Sequence, residues 1–410
     1  MKKFNKNIIV FVFAVLFIGL GMGKVFFTTM SDEAVNLAKN LKHGKIGYFS
    51  EFTDIIDDKS STTLNYHDNL IDINSFKERV MGTRLIKKDS ITIARTDNGN
   101  LVEIKKSRRA LSQKDVAGTV EKISELRDVA NENGAEFLYC AAPRKEYFAE
   151  GFPENTSNYI KEDFDTLISE LEKSDVPYLD ASKVLQESGI PNDKLYFNTD
   201  HHWRPYTGFV AASSICEELN RRYGFEYNKD YADINNYNIE TYDNLFLGSH
   251  GKKTGRFFTP AGTDDFDLIT PKFETSYIQE QPFKKNKART EGSFDETVIF
   301  KKFLEKDYYA INNYASYSGG DIKLQIMKNQ LNPDGKKILM VRDSYACVIA
   351  PFLSLYTSEL HTCDMRNFNK SAGKKVNVEE YIKEISPDYV ILLYSGVSTA
   401  NASDDRYDFF

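Results

Sequence analysis

KILMVRDSYACVIAPFL, residues 337–353, changes rhythm once. Lys337 to Val341 is a short apolar run with the character of a buried strand. From Tyr345 to about Leu355 the apolar residues recur at helical spacing. Arg342-Asp343-Ser344 lies between them and has to be the turn. Strand, sharp turn and helix in that order are the building block of a parallel sheet. Ser344 then stands above the sheet edge beside the first amides of a helix, which favour a developing negative charge. That placement suits a nucleophile attacking an ester carbonyl. Serine is also a good helix cap, and for this segment alone capping is a sufficient explanation.

The same alternation surrounds the stretch. Downstream come a strand near Leu360–Met365, a helix over Val378–Ile385 and the strand DYVILLYS, Asp388–Ser395. Upstream come a helix over Asp115–Asn133, the strand AEFLYCAAP (Ala135–Pro143) and a helix over Tyr159–Lys173. VPYLDAS (Val176–Ser182) is a strand running into a short helix that Ser182 caps. Pro205 opens a helix reaching about Tyr223, and proline suits a first helical position. The pattern predicts an α/β fold, a parallel sheet with helices on both faces. Residues 107–223 and 331–410 form its two parts. Residues 224–330 are rich in Tyr, Phe, Asn and Asp and read as a large insertion, a candidate substrate-binding element, with some strands and a helix near Lys323. Residues 28–106 read as a stalk and lead-in, ending in a hairpin, ITIARTDNGNLVEI, around Asp97-Asn98-Gly99.

With 410 residues the chain has room for one large domain with insertions, or for two domains. Its net charge of −7 and the absence of a basic stripe exclude a nucleic-acid binder. Aromatic residues make up 13%, enough for a core and for exposed rings that stack on sugars. Lys2, Lys3 and Lys6 precede IIVFVFAVLFIGLGMG, an uncharged run from Ile8 to Gly23, and Lys24 follows. Residues 1–27 read as a cytoplasmic tail and an uncleaved signal anchor. The protein would then be single-pass in the cell membrane with its body outside. The alternative is secretion after cleavage near Gly21-Met22-Gly23. Cys140, Cys216, Cys347 and Cys363 fit neither a zinc pattern nor a dense disulfide framework, and read as buried, reduced side chains.

A second stretch gives Ser344 its context: FNTDHHWRPYTGF, Phe197–Phe209. A serine nucleophile needs a base, and the base needs an orienting acid. In extended backbone the side chains at i and i+2 share a side. Asp200 and His202 therefore point together and His201 points away, while Trp203 packs beneath. Metal binding is the rival use of Asp-His-His. No companion ligand set exists, and His250 and His361 are isolated, so neither metal nor cofactor is expected. Pro143 and Lys145 lie on a strand-end loop and read as solvated.

Asp200-His201-His202-Trp203, followed far downstream by Asp343-Ser344-Tyr345, resembles the DHHW protein family. That family is similar to the alginate O-acetylation proteins, whose SGNH-hydrolase-like domain carries Asp-x-His-Trp before the serine. Ordinary SGNH hydrolases have the serine first, so the order here is permuted. The resemblance covers roughly Asp115 to Ser395. It implies Asp200 as orienting acid, His202 as base, Ser344 as nucleophile and Tyr394 as a stabiliser of the oxyanion. Around these, Arg366 in CDMRNF is a candidate for binding an acidic sugar or pairing with Asp364. Gly248 and Ser249 in FLGSHGKK offer amides as a substrate loop, or form a plain turn. Arg342 stands where the family's Gly-Asp-Ser block has glycine, and no Gly-x-Asn-Asp block is present. The resemblance further implies an extracytoplasmic O-acetyltransferase acting on an exported or cell-surface polysaccharide through an acetyl-serine. A multi-spanning membrane acyltransferase would supply the acetyl group. The same triad would serve an acetyl esterase, and the same scaffold a non-catalytic glycan-binding or assembly protein.

Overall fold

Period-two alternation in three apolar strands sets the architecture, a computed structural model describing residues 67–88, 90–104, 109–284, 288–369, 377–397 and 405–410. The stretch 1–27 lies outside the described residues. The chain divides into two units, Met1–Lys77 and Glu78–Phe410. Of the first unit, residues 67–77 are described, within helix α1 (His67–Val80). All that follows concerns the second.

In chain order the second unit opens with β1 (Leu85–Lys88), β2 (Ile91–Arg95) and β3 (Leu101–Ile104), a three-stranded antiparallel sheet that includes the expected hairpin. Next come α2 (Gln113–Glu132), β4 (Glu136–Ala142), α3 (Ile160–Lys173), β5 (Tyr178–Asp180), α4 (Ala181–Glu187), α5 (Asn192–Leu195) and α6 (Pro205–Tyr223). The insertion contributes β6 (Tyr237–Phe246), α7 (Ser249–Thr254), β7 (Asp264–Pro271), β8 (Tyr277–Gln281), β9 (Ala288–Gly292), α8 (Phe294–Thr297) and β10 (Leu324–Asn329). The chain closes with β11 (Lys337–Arg342), α9 (Ala350–Ser354), β12 (Glu359–Cys363), α10 (Met365–Asn369), α11 (Val378–Ile385) and β13 (Tyr389–Ser395).

The large sheet has the order β5-β4-β13-β11-β12-β10-β8-β9. Its first five strands are parallel. Successive side chains of a strand face opposite sides, and the core splits accordingly. Leu138, Cys140, Ile338, Met340, Ile391 and Leu393 face α4, α6 and α9. Phe137, Tyr139, Leu339, Val341, Leu392 and Tyr394 face α2, α3 and α11. Strands buried on both faces read as continuous apolar runs, which is why these three stood out in the sequence.

The insertion extends the parallel sheet with antiparallel strands. Strands β10, β8 and β9 pair antiparallel along its β12 edge. The helix expected near Lys323 is strand β10. Lys, Leu, Gln and Met all favour helix, but pairing on both sides decides the conformation. Ser182 does not cap α4; Asp180 does, its carboxylate accepting from the Ser182 amide at 2.9 Å. The helix expected from Tyr345 is broken in two. A 3-10 turn, Ser344–Val348, precedes α9. Pro351 has no N–H for the Cys347 carbonyl, and Ser318 Oγ donates to that carbonyl instead, at 3.0 Å. The four cysteines are free and buried. Among the described residues, no helix is long and apolar enough to cross a membrane.

Candidate active site

The sharp turn after β11 sets Ser344 at the carboxyl end of a central parallel strand, where open α/β sheets place their ligands. Asp343 builds the turn. One carboxylate oxygen accepts from the Tyr345 amide at 3.0 Å. The other accepts from the amide and hydroxyl of Ser395, both at 2.7 Å, tying the turn to the end of β13. Helix α6 presses on the far side of the turn. A Cβ on Gly208 would lie 2.5 Å from Val348 Cγ2 and 2.6 Å from the Val348 carbonyl oxygen, so only glycine allows this approach.

His202 reaches the serine from 142 residues earlier: Nε2 lies 2.8 Å from Ser344 Oγ. Its Nδ1 lies 2.5 Å from Asp200 Oδ1. The network assigns the proton on Nδ1 to the carboxylate, leaving the Nε2 lone pair for the serine hydroxyl. Asp200, His202 and Ser344 thus form one hydrogen-bonded line. Asp200 and His202 do point together, but extended backbone is not the cause. Residues 198–202 form a bend, and Asp200 Oδ1 also accepts from the His202 amide at 2.9 Å.

His201 does not point away. Its ring centroid is 3.8 Å from that of His202, and its Nδ1 meets Ser249 Oγ at 3.0 Å. Desolvation, followed by the neighbouring His202 ring, holds the His201 imidazole well below its ordinary range. Burial alone would raise the Asp200 carboxyl. The two imidazoles, the His202 hydrogen bond and the Ser249 amide outweigh it and hold Asp200 well below the ordinary carboxylate range. Ligand atoms of Asp200, His201 and His202 lie within 4.8 Å of one another. Both nitrogens of His202 and Nδ1 of His201 already meet protein partners.

The bend carrying the acid and the base is locked from several sides. Trp203 is buried and donates through Nε1 to the Tyr345 carbonyl at 2.8 Å. Tyr345 returns the tie, its hydroxyl donating to the His201 carbonyl at 2.7 Å. Buried Asp264 accepts from the amides of Asn198 and Thr199 at 2.7 and 2.8 Å and pairs with Arg204. Lys145 is not solvated but buried. Its Nζ donates to the carbonyls of Leu101, Phe197, Asn198 and Asp200 at 2.8, 2.6, 2.8 and 3.2 Å. Burial pulls its ammonium down to about 8.

The expected oxyanion role of Tyr394 and substrate role of Gly248 and Ser249 come out differently, while Arg366 takes the second of its two expected roles, pairing with Asp364. Gly248 and Ser249 are at the triad, but their amides are taken. Gly248 N–H donates to Thr199 Oγ at 2.9 Å and Ser249 N–H to Asp200 Oδ2 at 2.5 Å, so they hold the acid and not a substrate. Tyr394 faces the opposite core layer, and its hydroxyl donates to the Arg406 carbonyl at 2.5 Å. It alternates away from the triad face because Leu393 takes that side. Arg366 is paired with Asp364 at 2.6 Å and with Asp321 at 3.2 Å. Arg342 is buried and salt-bridged to Asp321 and Asp364 at 3.3 and 3.6 Å.

Tyr314 is a site residue that no sequence motif marks. Its ring stacks on His202 with centroids 4.1 Å apart and 15° between planes, and its hydroxyl donates to the Ser344 carbonyl at 3.2 Å. With the Tyr345 and Ala346 amides engaged by Asp343, the Ser344 amide is the donor left at the head of the turn for an oxyanion.

Comparison with known proteins finds likenesses of sequence and of fold. Residues 103–240 match the family described as SGNH hydrolase-like domain, acetyltransferase AlgX. The solved structure of Bacillus cereus PatB1 aligns with a TM-score of 0.61 at 20% identity, over 78% of this chain and 100% of PatB1. PatB1 with a sulfonyl adduct aligns equally well, over 99% of its chain. A DHHW family protein from Eubacterium siraeum aligns with a TM-score of 0.56 at 17% identity, over 79% of this chain and 96% of that one. No curated protein is recognisably similar in sequence. Over residues 103–240 the chain is thus similar to that SGNH hydrolase-like family, and its fold is shared with PatB1 and the DHHW family protein.

Proposed function

We propose that this chain is an O-acetyltransferase that moves an acetyl group onto a hydroxyl of an exported or cell-surface polysaccharide. The observation carrying the reading is the line Asp200 Oδ1, His202 Nδ1, His202 Nε2, Ser344 Oγ, with contacts of 2.5 and 2.8 Å. His202 Nε2 takes the Ser344 proton as Oγ attacks the acyl carbonyl. Asp200 holds the ring and balances the imidazolium. The Ser344 amide faces the oxyanion. Collapse of the adduct expels the donor's leaving group, which takes the proton from Nε2, and leaves acetyl-Ser344. A sugar hydroxyl then gives its proton to Nε2, attacks the ester and departs acetylated, and the serine recovers the proton.

Residues 1–27 fit a membrane anchor holding the body outside the cytoplasm. A multi-spanning acyltransferase fits the part of acetyl donor, since acetyl groups activated inside must cross the membrane to reach that body. The test is intact-mass detection of one acetyl group on Ser344 after incubation with p-nitrophenyl acetate, followed by addition of oligosaccharide. Transfer to sugar supports the reading. Loss to water alone makes the protein an esterase. No adduct on wild type, or an undiminished adduct on Ser344→Ala, refutes the triad.

A further inference from the structure

At the opposite edge of the large sheet lies a cavity of about 420 Å³. Its walls come from the chain after α6, the β7–β8 connection, the turn after β10 and the residues before β12. Ser344 follows the carboxyl end of β11, whereas this cavity opens at the amino ends of β11 and β12. Six residues of strand put the two about 20 Å apart. We propose that the cavity is a second carbohydrate-binding site, for a neutral or amino-sugar chain, which holds the polymer while the triad acts elsewhere on it. The proposal rests on the polysaccharide reading above.

Three observations carry it. Tyr227, Tyr231 and Phe273 line the cavity half-buried, presenting ring surface of the kind that packs on the C–H face of a pyranose. The floor is preformed. Asn329 Nδ2 donates to the Leu355 carbonyl at 3.2 Å, and its Oδ1 accepts from the Leu331 amide at 3.1 Å. Tyr231 stacks on Phe273 at 4.4 Å. Finally, the Glu226 and Glu274 carboxylates, with the Tyr227 and Tyr231 hydroxyls, line the cavity without a protein hydrogen bond among the described residues. Carboxylates accept from sugar hydroxyls, and charge-assisted bonds are the stronger kind. Among the described residues, no lysine or arginine lines the cavity. Two carboxylates with no cation repel a uronate chain and accept a neutral or protonated amino sugar.

The test is calorimetric titration of the full-length protein in detergent with cellohexaose, chitosan hexamer and hexagalacturonate. Binding of at least one of the first two is expected, with none of the third. Glu274→Gln and Tyr231→Ala should each weaken that binding at least tenfold, with p-nitrophenyl acetate turnover and melting temperature unchanged. Should Tyr231→Ala lower the melting temperature, Glu274→Gln alone decides. No binding of either neutral or amino sugar, equal binding of hexagalacturonate, or full affinity in Glu274→Gln overturns the proposal. Ser344→Ala should bind the sugar normally. If turnover is absent yet sugar binds here, the transferase reading fails and this site stands.

Discussion

Gly248→Ala tests whether the insertion holds Asp200, the proposed orienting acid. A Cβ at residue 248 would stand 2.2 Å from Asp200 Cβ, 2.6 Å from Oδ2 and 2.7 Å from Cα. Carbon atoms rest at about 3.5–4 Å, so the two segments must part by more than about 1 Å. Gly248 has φ −73°, open to any residue, so the strain is purely steric. Parting them stretches the 2.5 Å bond from Ser249 N–H and the 2.9 Å bond from Gly248 N–H to Thr199. It also shifts the carboxylate that orients His202. A displacement of about 1 Å in a catalytic array costs roughly 100-fold in rate, or about 2.7 kcal/mol of barrier. The assay is p-nitrophenyl acetate turnover by the purified variant beside its melting curve. A variant that melts with the wild type and turns over within threefold of it would refute the claim that Gly248 sets the position of Asp200.

Lys145→Met removes the ammonium shared by four carbonyls; Asn198 O keeps the Leu101 amide at 2.9 Å and Leu101 O keeps His250 Nδ1 at 3.2 Å, so the Phe197 and Asp200 carbonyls lose their partner. At about 1–3 kcal/mol per unsatisfied buried group, with neighbours sharing the loss, the urea midpoint should fall by the equivalent of about 3 kcal/mol or more, and turnover should fall with it; an unchanged midpoint would sink the clamp. Glu146 is buried beside Arg144. Burial pushes its carboxyl up, but Arg144 and then His250 outweigh burial and bring it from 4.5 to about 2. The unfolded chain therefore takes up this proton first as pH falls, so the stabilisation is complete above about pH 4.5 and drains away between about 4.5 and 2. At about 1.4 kcal/mol per unit this amounts to about 3 kcal/mol. Glu146→Gln should flatten the acid limb of stability against pH; an equally steep limb would count against it. Burial pushes the Cys140, Cys347 and Cys363 thiols up to about 12. An aromatic disulfide reagent should label none of the four cysteines in the native protein and all four in denaturant, and reductant should leave the melting temperature unchanged.

What the sequence disclosed, it disclosed locally. Helix α6 was readable to the residue because Pro205 opens it and Gly224 closes it at φ +69°. The strands β4, β11 and β13 announced themselves as apolar runs, and the DHHW and Asp-Ser-Tyr motifs as contiguous residues. The partners that complete the site come from far along the chain. Tyr314 is one tyrosine in an aromatic-rich insertion, and nothing nearby marks it as the ring that covers His202. Lys145 looks like any loop lysine until four carbonyls from two segments close around it. Gly248 and Ser249 show in the sequence as backbone donors, but their acceptors, Thr199 and Asp200, do not, because the proximity of α7 to that bend is a tertiary fact. Strand β10 looks helical residue by residue and is extended only because β8 and β12 flank it.

The proposed nucleophile follows the eleventh strand, its proposed base precedes the sixth helix, and the ring over that base comes from between them. A nascent fragment ending before residue 344 has no hydroxyl to acylate, and one beginning after residue 202 has nothing to activate it. Reactivity therefore requires residues 198–202 and the turn after β11 to be docked on each other, since neither segment carries all three groups.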